Sequence, residues 1–184
     1  MRPWLQTVPS PLGTLTLAAL QDGTLVYLGF GERDPRDRLL EVLDPEAGGL
    51  CADPAPLAPA LRQLEAYFRG ELRAFDLPLA PRGTPFQLRV WAELRRIPYG
   101  ATLSYGELAR RLGDPGLARA VGAANGANPI SIIIPCHRVI GADGSLTGYG
   151  GGLEVKRGLL ALERGPRPAA QPLVRALFDR LDGC

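Results

Sequence analysis

Ile130-Ser131-Ile132-Ile133-Ile134-Pro135-Cys136-His137-Arg138-Val139-Ile140 is the run around which the rest of the chain is organised. Its β-branched residues predict a buried strand, because such side chains pack well on a pleated surface. Pro135 has no amide hydrogen for a ladder, so pairing should stop there, with Cys136 where the chain leaves the strand. His137 follows at once and is the only histidine among 184 residues. A thiolate is the strong nucleophile, and a partnered imidazole lowers the pKa of a thiol. The competing reading is plainer: a small buried hydrophobe beside a core histidine. Successive residues of a strand face opposite ways, so a water relay between Cys136 and His137 is expected in place of direct contact.

Composition narrows the setting. A hydrophobic content of 46% with mixed charge fits a soluble globular protein. No apolar run is long enough to span a bilayer, and Met1-Arg2-Pro3-Trp4 lacks the apolar core of a signal peptide. Three cysteines (Cys51, Cys136 and Cys184) make an odd count, which argues against a disulfide framework and for the cytoplasm. One histidine and three scattered cysteines do not make a four-ligand zinc site. Residues 1–83 carry eight arginines against eleven acids, whereas residues 84–165 carry ten basic residues against six acids. The basic half holds Cys136, which hints at an anionic partner; an unevenly charged solvated surface is the alternative.

Working outward, residues 4–8 and 14–30 predict a small meander turning at Asp22-Gly23. Asp34 to Leu43 suits a short helix, and Glu46 to Pro59 a surface loop. Leu57, Leu61, Leu64 and Phe68 have helical spacing, with Gly70 as a stop. Residues 1–82 thus form an α+β unit without visible chemistry, read as a scaffold. Thr84-Pro85 opens the next unit with a helix carrying Phe86, Val90, Leu94 and Ile97, ended by Pro98-Tyr99-Gly100. Ser104-Tyr105-Gly106-Glu107 is a capping-box pattern. The helix it starts, the turn Gly113-Asp114-Pro115-Gly116 and a second helix make a helix-turn-helix layout. The outward side of the second helix offers Arg119, Gly122, Ala123 and Gly126. Glycine in a helix costs about 1 kcal/mol against alanine, and close approach by something large compensates. A nucleic-acid groove and tight packing within the protein both satisfy that. After Cys136 come the turn Gly141-Ala142-Asp143-Gly144, the loop Gly148-Tyr149-Gly150-Gly151-Gly152, a helix from Leu153 to Glu163, and a tail with a short helix at Leu173 to Leu181. The loop lacks the Lys-Ser/Thr of a phosphate loop.

Taken together these residues resemble the O6-alkylguanine-DNA alkyltransferases, in the bacterial stand-alone form. The resemblance rests on Ile134-Pro135-Cys136-His137-Arg138-Val139, with Thr84-Pro85-Phe86-Gln87, Ile97-Pro98-Tyr99-Gly100, Ser104 to Ala109, Arg119-Ala120-Val121-Gly122, Asn128-Pro129 and Gly148-Tyr149 in the same order and spacing. It covers residues 84–165 closely and residues 1–82 only in general shape.

The resemblance implies an α+β fold in three parts: an N-terminal ribonuclease H-like α/β domain (1–82), a C-terminal winged-helix-like helix-turn-helix catalytic domain (83–166), and a tail (167–184). It implies repair of double-stranded DNA by irreversible, single-turnover transfer of the alkyl group of O6-alkylguanine, and of O4-alkylthymine, to Cys136 after base flipping. His137 would take the thiol proton through a water, oriented by Glu163, and the thiol pKa would be depressed. Asn128 would brace the turn beneath Cys136. Tyr105 would hydrogen-bond the flipped base, and Arg119 would fill the gap in the stack. Gly122, Ala123 and Gly126 would meet the groove. Tyr149 and Gly150 would cover the base, and the carbonyls of Cys136 and Val139 would read its amino group. No cofactor is implied. Metal-bearing relatives use N-terminal Cys and His ligands, so no metal is carried over to a chain with no histidine there. The partner is DNA, with no membrane, and the protein is expected to be a monomer. A lesion-recognition relative would lack Cys136, and a cysteine hydrolase would need a histidine distant in sequence together with an oxyanion hole.

Overall fold

The computed structural model describes residues 4–31 and 55–165. The helix expected at Asp34 to Leu43, most of the loop to Pro59, Cys51, Cys184 and the tail helix lie outside the described residues.

The N-terminal unit is an antiparallel sheet of β1 (Trp4–Val8), β2 (Leu15–Ala19) and β3 (Leu25–Phe30), in that order. The middle strand is buried throughout, so alternation along it does not separate core from solvent. Leu15, Leu17 and Ala19 join the main core, and Ala18 packs with Val26 on the other face. Helix α1 (Ala58–Phe68) buries Leu61, Leu64, Tyr67 and Phe68. It ends at Gly70, whose φ of 71° is the left-handed conformation glycine tolerates.

The C-terminal unit opens with α2 (Pro85–Leu94). Thr84 and Gln87 form a reciprocal capping box at its start. The helix stops at Leu94, one turn before the expected Pro98, and Ile97 is buried from the turn that follows. Strand β4 (Leu103–Ser104) leads into α3 (Tyr105–Arg111), whose Ser104–Glu107 capping box is formed. A 3-10 turn over Pro115–Leu117 then leads into α4 (Ala118–Gly126). The last elements are β5 (Val139–Ile140), parallel to β4, and α5 (Leu153–Arg164). The architecture is therefore α+β, with the helix-turn-helix of α3 and α4 in the second half.

The isoleucine run departs from expectation. Ile130 forms one isolated bridge to Leu28, and Ser131 to Ile133 then form a turn. Ile132 has a φ of 69°, the only positive value outside glycine among the described residues. A β-branched residue there costs about 1–2 kcal/mol. Ile130, Ile132, Ile133 and Ile134 are nevertheless buried, so burial and not a ladder explains the run. Asn128 holds the turn: its Oδ1 accepts from the Ile130 amide at 3.1 Å, and its Nδ2 donates to the Ile134 carbonyl at 2.8 Å. Strand β3 fixes the entry, because the Leu28 carbonyl accepts from the Ser131 amide at 2.7 Å. Cys136–Arg138 form a 3-10 turn.

Candidate active site

Cys136 is 4% exposed, and its Sγ receives a hydrogen bond from Asn128 Nδ2 at 3.0 Å. Burial pushes its thiol above the ordinary range; the Asn128 amide and the charge of Lys156 oppose this only in part. The resting thiol is therefore protonated at neutral pH, which corrects the expected depressed pKa. Removal of solvent disfavours the thiolate more than its neighbours favour it. Among the described residues no hydrogen bond joins Sγ to His137. Cys136 and His137 lie in a 3-10 turn, in place of the strand alternation anticipated.

Glu163, on α5, gathers the donors. Its Oε1 accepts from Tyr67 Oη at 2.8 Å, pairs with His137 Nε2 at 2.8 Å and accepts from Arg138 Nη2 at 2.9 Å. Its Oε2 accepts from Arg138 Nε at 2.9 Å and from the Gly100 amide at 3.1 Å. Gly100 has a φ of 76°, and a Cβ there would stand 2.9 Å from the Glu163 carbonyl oxygen. Burial works to raise the Glu163 carboxyl, but the hydrogen bonds and charges of His137 and Arg138 prevail and hold it at about 2. Burial lowers His137, although Glu163 pulls it the other way. The imidazole is thus neutral near pH 7, with its proton on Nε2 facing the carboxylate. Nδ1 is then the acceptor, and it is buried without a hydrogen-bond partner in the protein.

A cavity of about 70 Å³ opens beside Cys136, with Phe30, Asn125, Asn128, Ser131 and Gly150 on its wall. Of the expected pocket residues, Asn128 and Gly150 line it; Val139 and Tyr149 do not. The Val139 carbonyl accepts from Lys156 Nζ at 2.7 Å, and the Cys136 carbonyl accepts from Asn125 Nδ2 at 3.3 Å. The Cys136 carbonyl accepts from the Val139 amide as well, so both of its lone pairs are engaged. Tyr149 packs against Phe30 with ring centroids 6.5 Å apart. Gly151 passes beneath both rings, where a Cβ would meet Phe30 at 2.8 Å. Tyr105 Oη donates to the Thr147 carbonyl at 3.4 Å, which also accepts from Lys156 Nζ at 2.7 Å.

On α4 the expected face is present. Arg119, Ala123 and Gly126 are exposed, and Gly122 is half-buried, with the ring of Tyr105 3.8 Å from where its Cβ would be. The face therefore adjoins Tyr105.

Comparison with known proteins decides the family. Residues 85–165 match the family model described as 6-O-methylguanine DNA methyltransferase, DNA binding domain, and residues 5–81 match the model for its ribonuclease-like domain. The chain belongs to the 6-O-methylguanine DNA methyltransferase family. Within the family, a methylated-DNA–protein-cysteine methyltransferase of Mycobacterium tuberculosis is 53% identical over 165 residues, 89% of this chain and 94% of that protein. One from Methanosarcina barkeri is 62% identical over 156 residues, 85% of this chain and 94% of that protein. The solved structure of Mycobacterium tuberculosis OGT in complex with DNA superposes with a TM-score of 0.79 at 50% identity, covering 95% of this chain and 99% of that one. Among the described residues no three or more His, Cys, Asp or Glu side chains are grouped to hold a metal ion, and no helix is long and apolar enough to cross a membrane.

Three residues around the site escaped the sequence reading. Tyr67 reaches Glu163 across 96 positions of sequence, and nothing local marks it. Arg138 was quoted only as part of a motif, yet it binds Glu163 twice and donates to the Ile97 carbonyl at 2.6 Å. Lys156 is fully buried on α5. Its signal was available, since a lone lysine at a core-facing helical position needs buried acceptors.

Proposed function

We propose that the protein repairs double-stranded DNA by moving the alkyl group of O6-alkylguanine, and of O4-alkylthymine, onto Cys136, once per chain. The observation that carries this reading is a buried thiol held by Asn128 next to a neutral His137 whose Nε2 is locked by Glu163 and whose Nδ1 is free to accept. The target base is out of reach inside a duplex, so it is flipped, and Arg119 occupies the gap. The small, exposed residues Gly122, Ala123 and Gly126 let α4 approach the groove without reading base edges. The thiol proton passes through a water to His137 Nδ1, and Glu163 stabilises the imidazolium. Sγ bonds to the alkyl carbon as the carbon–O6 bond breaks, and the electron pair leaves with the guanine, which takes a proton from the Tyr105 hydroxyl. The thioether is stable, and no group in the site reverses it.

In this reading residues 1–82 are the scaffold, 83–166 the catalytic and DNA-binding domain and 167–184 a tail, and the protein acts as a cytoplasmic monomer without a cofactor. Tyr149 and Gly150 close over the base. The test is mass spectrometry after incubation with an oligonucleotide bearing O6-methylguanine. One methyl group should appear on the peptide containing Cys136 and never more than one per chain. Cys136→Ser should take up none while binding DNA as before. A methylated Cys136→Ser protein, or turnover beyond one equivalent, would defeat the assignment.

A further inference from the structure

Asn125, on α4, is 3% exposed and lies on the wall of the cavity beside Cys136. The two ends of its amide stand in different situations. Nδ2 donates to the Cys136 carbonyl, and this settles the orientation, because a flipped amide would set two acceptors against each other. Oδ1 is buried and has no hydrogen-bond partner in the protein. Asn128, on the same cavity wall, differs: its Oδ1 accepts from Ile130, and its Nδ2 serves both the Ile134 carbonyl and Cys136 Sγ. A buried acceptor without a donor is costly, and native proteins retain few. In a substrate cavity, such an atom calls for a donor carried by the substrate.

The chemistry of the lesion identifies that donor. Alkylation at O6 removes the N1 proton of guanine, so N1, N3 and N7 are all acceptors and N9 is bound to the sugar. The 2-amino group is then the only N–H donor left on the base. Alkylation of thymine at O4 removes its N3 proton and leaves no donor at all.

Resting on the alkyltransferase reading, we infer that Asn125 Oδ1 accepts the 2-amino group of the flipped O6-alkylguanine and sets the preference of this protein for guanine over alkylated bases that lack that group.

The test compares single-turnover transfer from oligonucleotides carrying O6-methylguanine or O6-methylhypoxanthine, which differ only in the 2-amino group. The wild type should react about tenfold faster with the guanine lesion, the worth of one buried hydrogen bond. Asn125→Leu should bring the ratio to about one, whatever it does to the rate common to both lesions. Asn125→Ala should do the same, so a packing defect peculiar to one variant cannot decide the outcome. A wild-type ratio near one, or a ratio that survives both substitutions, overturns the role of Asn125 while leaving Cys136 alkylation standing. Failure of both bases to methylate Cys136 of the wild type overturns the alkyltransferase reading, and this inference with it.

Discussion

The outward face of α4 and Glu163 belong to the same half of the molecule, and their surroundings are built in opposite ways. On α4, Arg119, Ala123 and Gly126 stand in solvent, and among the described residues Arg119 forms no hydrogen bond or ion pair. Glu163 has no exposed side-chain surface, and its donors come from α1, the Gly100 turn and the 3-10 turn after Cys136. In the proposed function this open face of small residues meets the duplex, and its residues would bear on binding and little on folding. A desolvated carboxylate is tolerable only with its partners in place, so there folding and chemistry cannot be separated. Substitutions should divide along that line.

Glu163→Gln should have the largest effect. It leaves the Arg138 guanidinium buried without its counter-charge, at a cost of about 3–5 kcal/mol in urea unfolding at pH 7. Transfer to Cys136 should slow as well, because the imidazolium loses its partner. Acid separates the two proteins further. The Glu163 carboxyl is held at about 2, below its ordinary 4.5, so its contribution is complete above pH 4.5 and is lost as pH falls toward 2. The wild type should shed about 3 kcal/mol over that range, and Glu163→Gln should lack this segment. Equal stability of the two at pH 7 would erase the contrast.

Tyr67→Phe should come next. It removes one hydrogen bond to a charged oxygen without altering the ring, and should cost about 2 kcal/mol in thermal or urea unfolding. Burial and the nearby Glu163 raise the Tyr67 hydroxyl well above its ordinary range, so it donates at every working pH and the loss should not vary between pH 6 and 9. A loss that grew with pH would mean that the hydroxyl ionises.

Arg119→Ala should disturb folding least, by no more than about 0.5 kcal/mol. It should slow repair of duplex DNA about tenfold and leave reaction with free O6-benzylguanine unchanged, since a free base needs no flipping. Equal slowing on both substrates would move Arg119 into the chemistry and sharpen the comparison differently.

Much of this was readable one turn at a time. The Ser104–Glu107 box, the Gly70 stop and the apolar spacing of α1 involve residues three or four apart, and all appear in the structure. The isoleucine run was misread because its β-branched character reports burial, which a turn braced by Asn128 supplies as well as a strand does. The helix expected to run to Pro98 stops at Leu94, since Ile97 reaches the core from a turn as readily as from a helix.

The sequence by itself determined the N-terminal meander, the helices α1 to α5 and the family, because each is written in residues close together along the chain. Only the tertiary structure decided that the resting thiol is protonated, that His137 carries its proton on Nε2, that Tyr67 of the N-terminal unit completes the Glu163 cluster, and that Asn125 keeps an acceptor without a donor. The reason is that desolvation, charge and hydrogen bonding act through distance in space, and the groups that set these states are brought together from elements up to 96 positions apart in sequence.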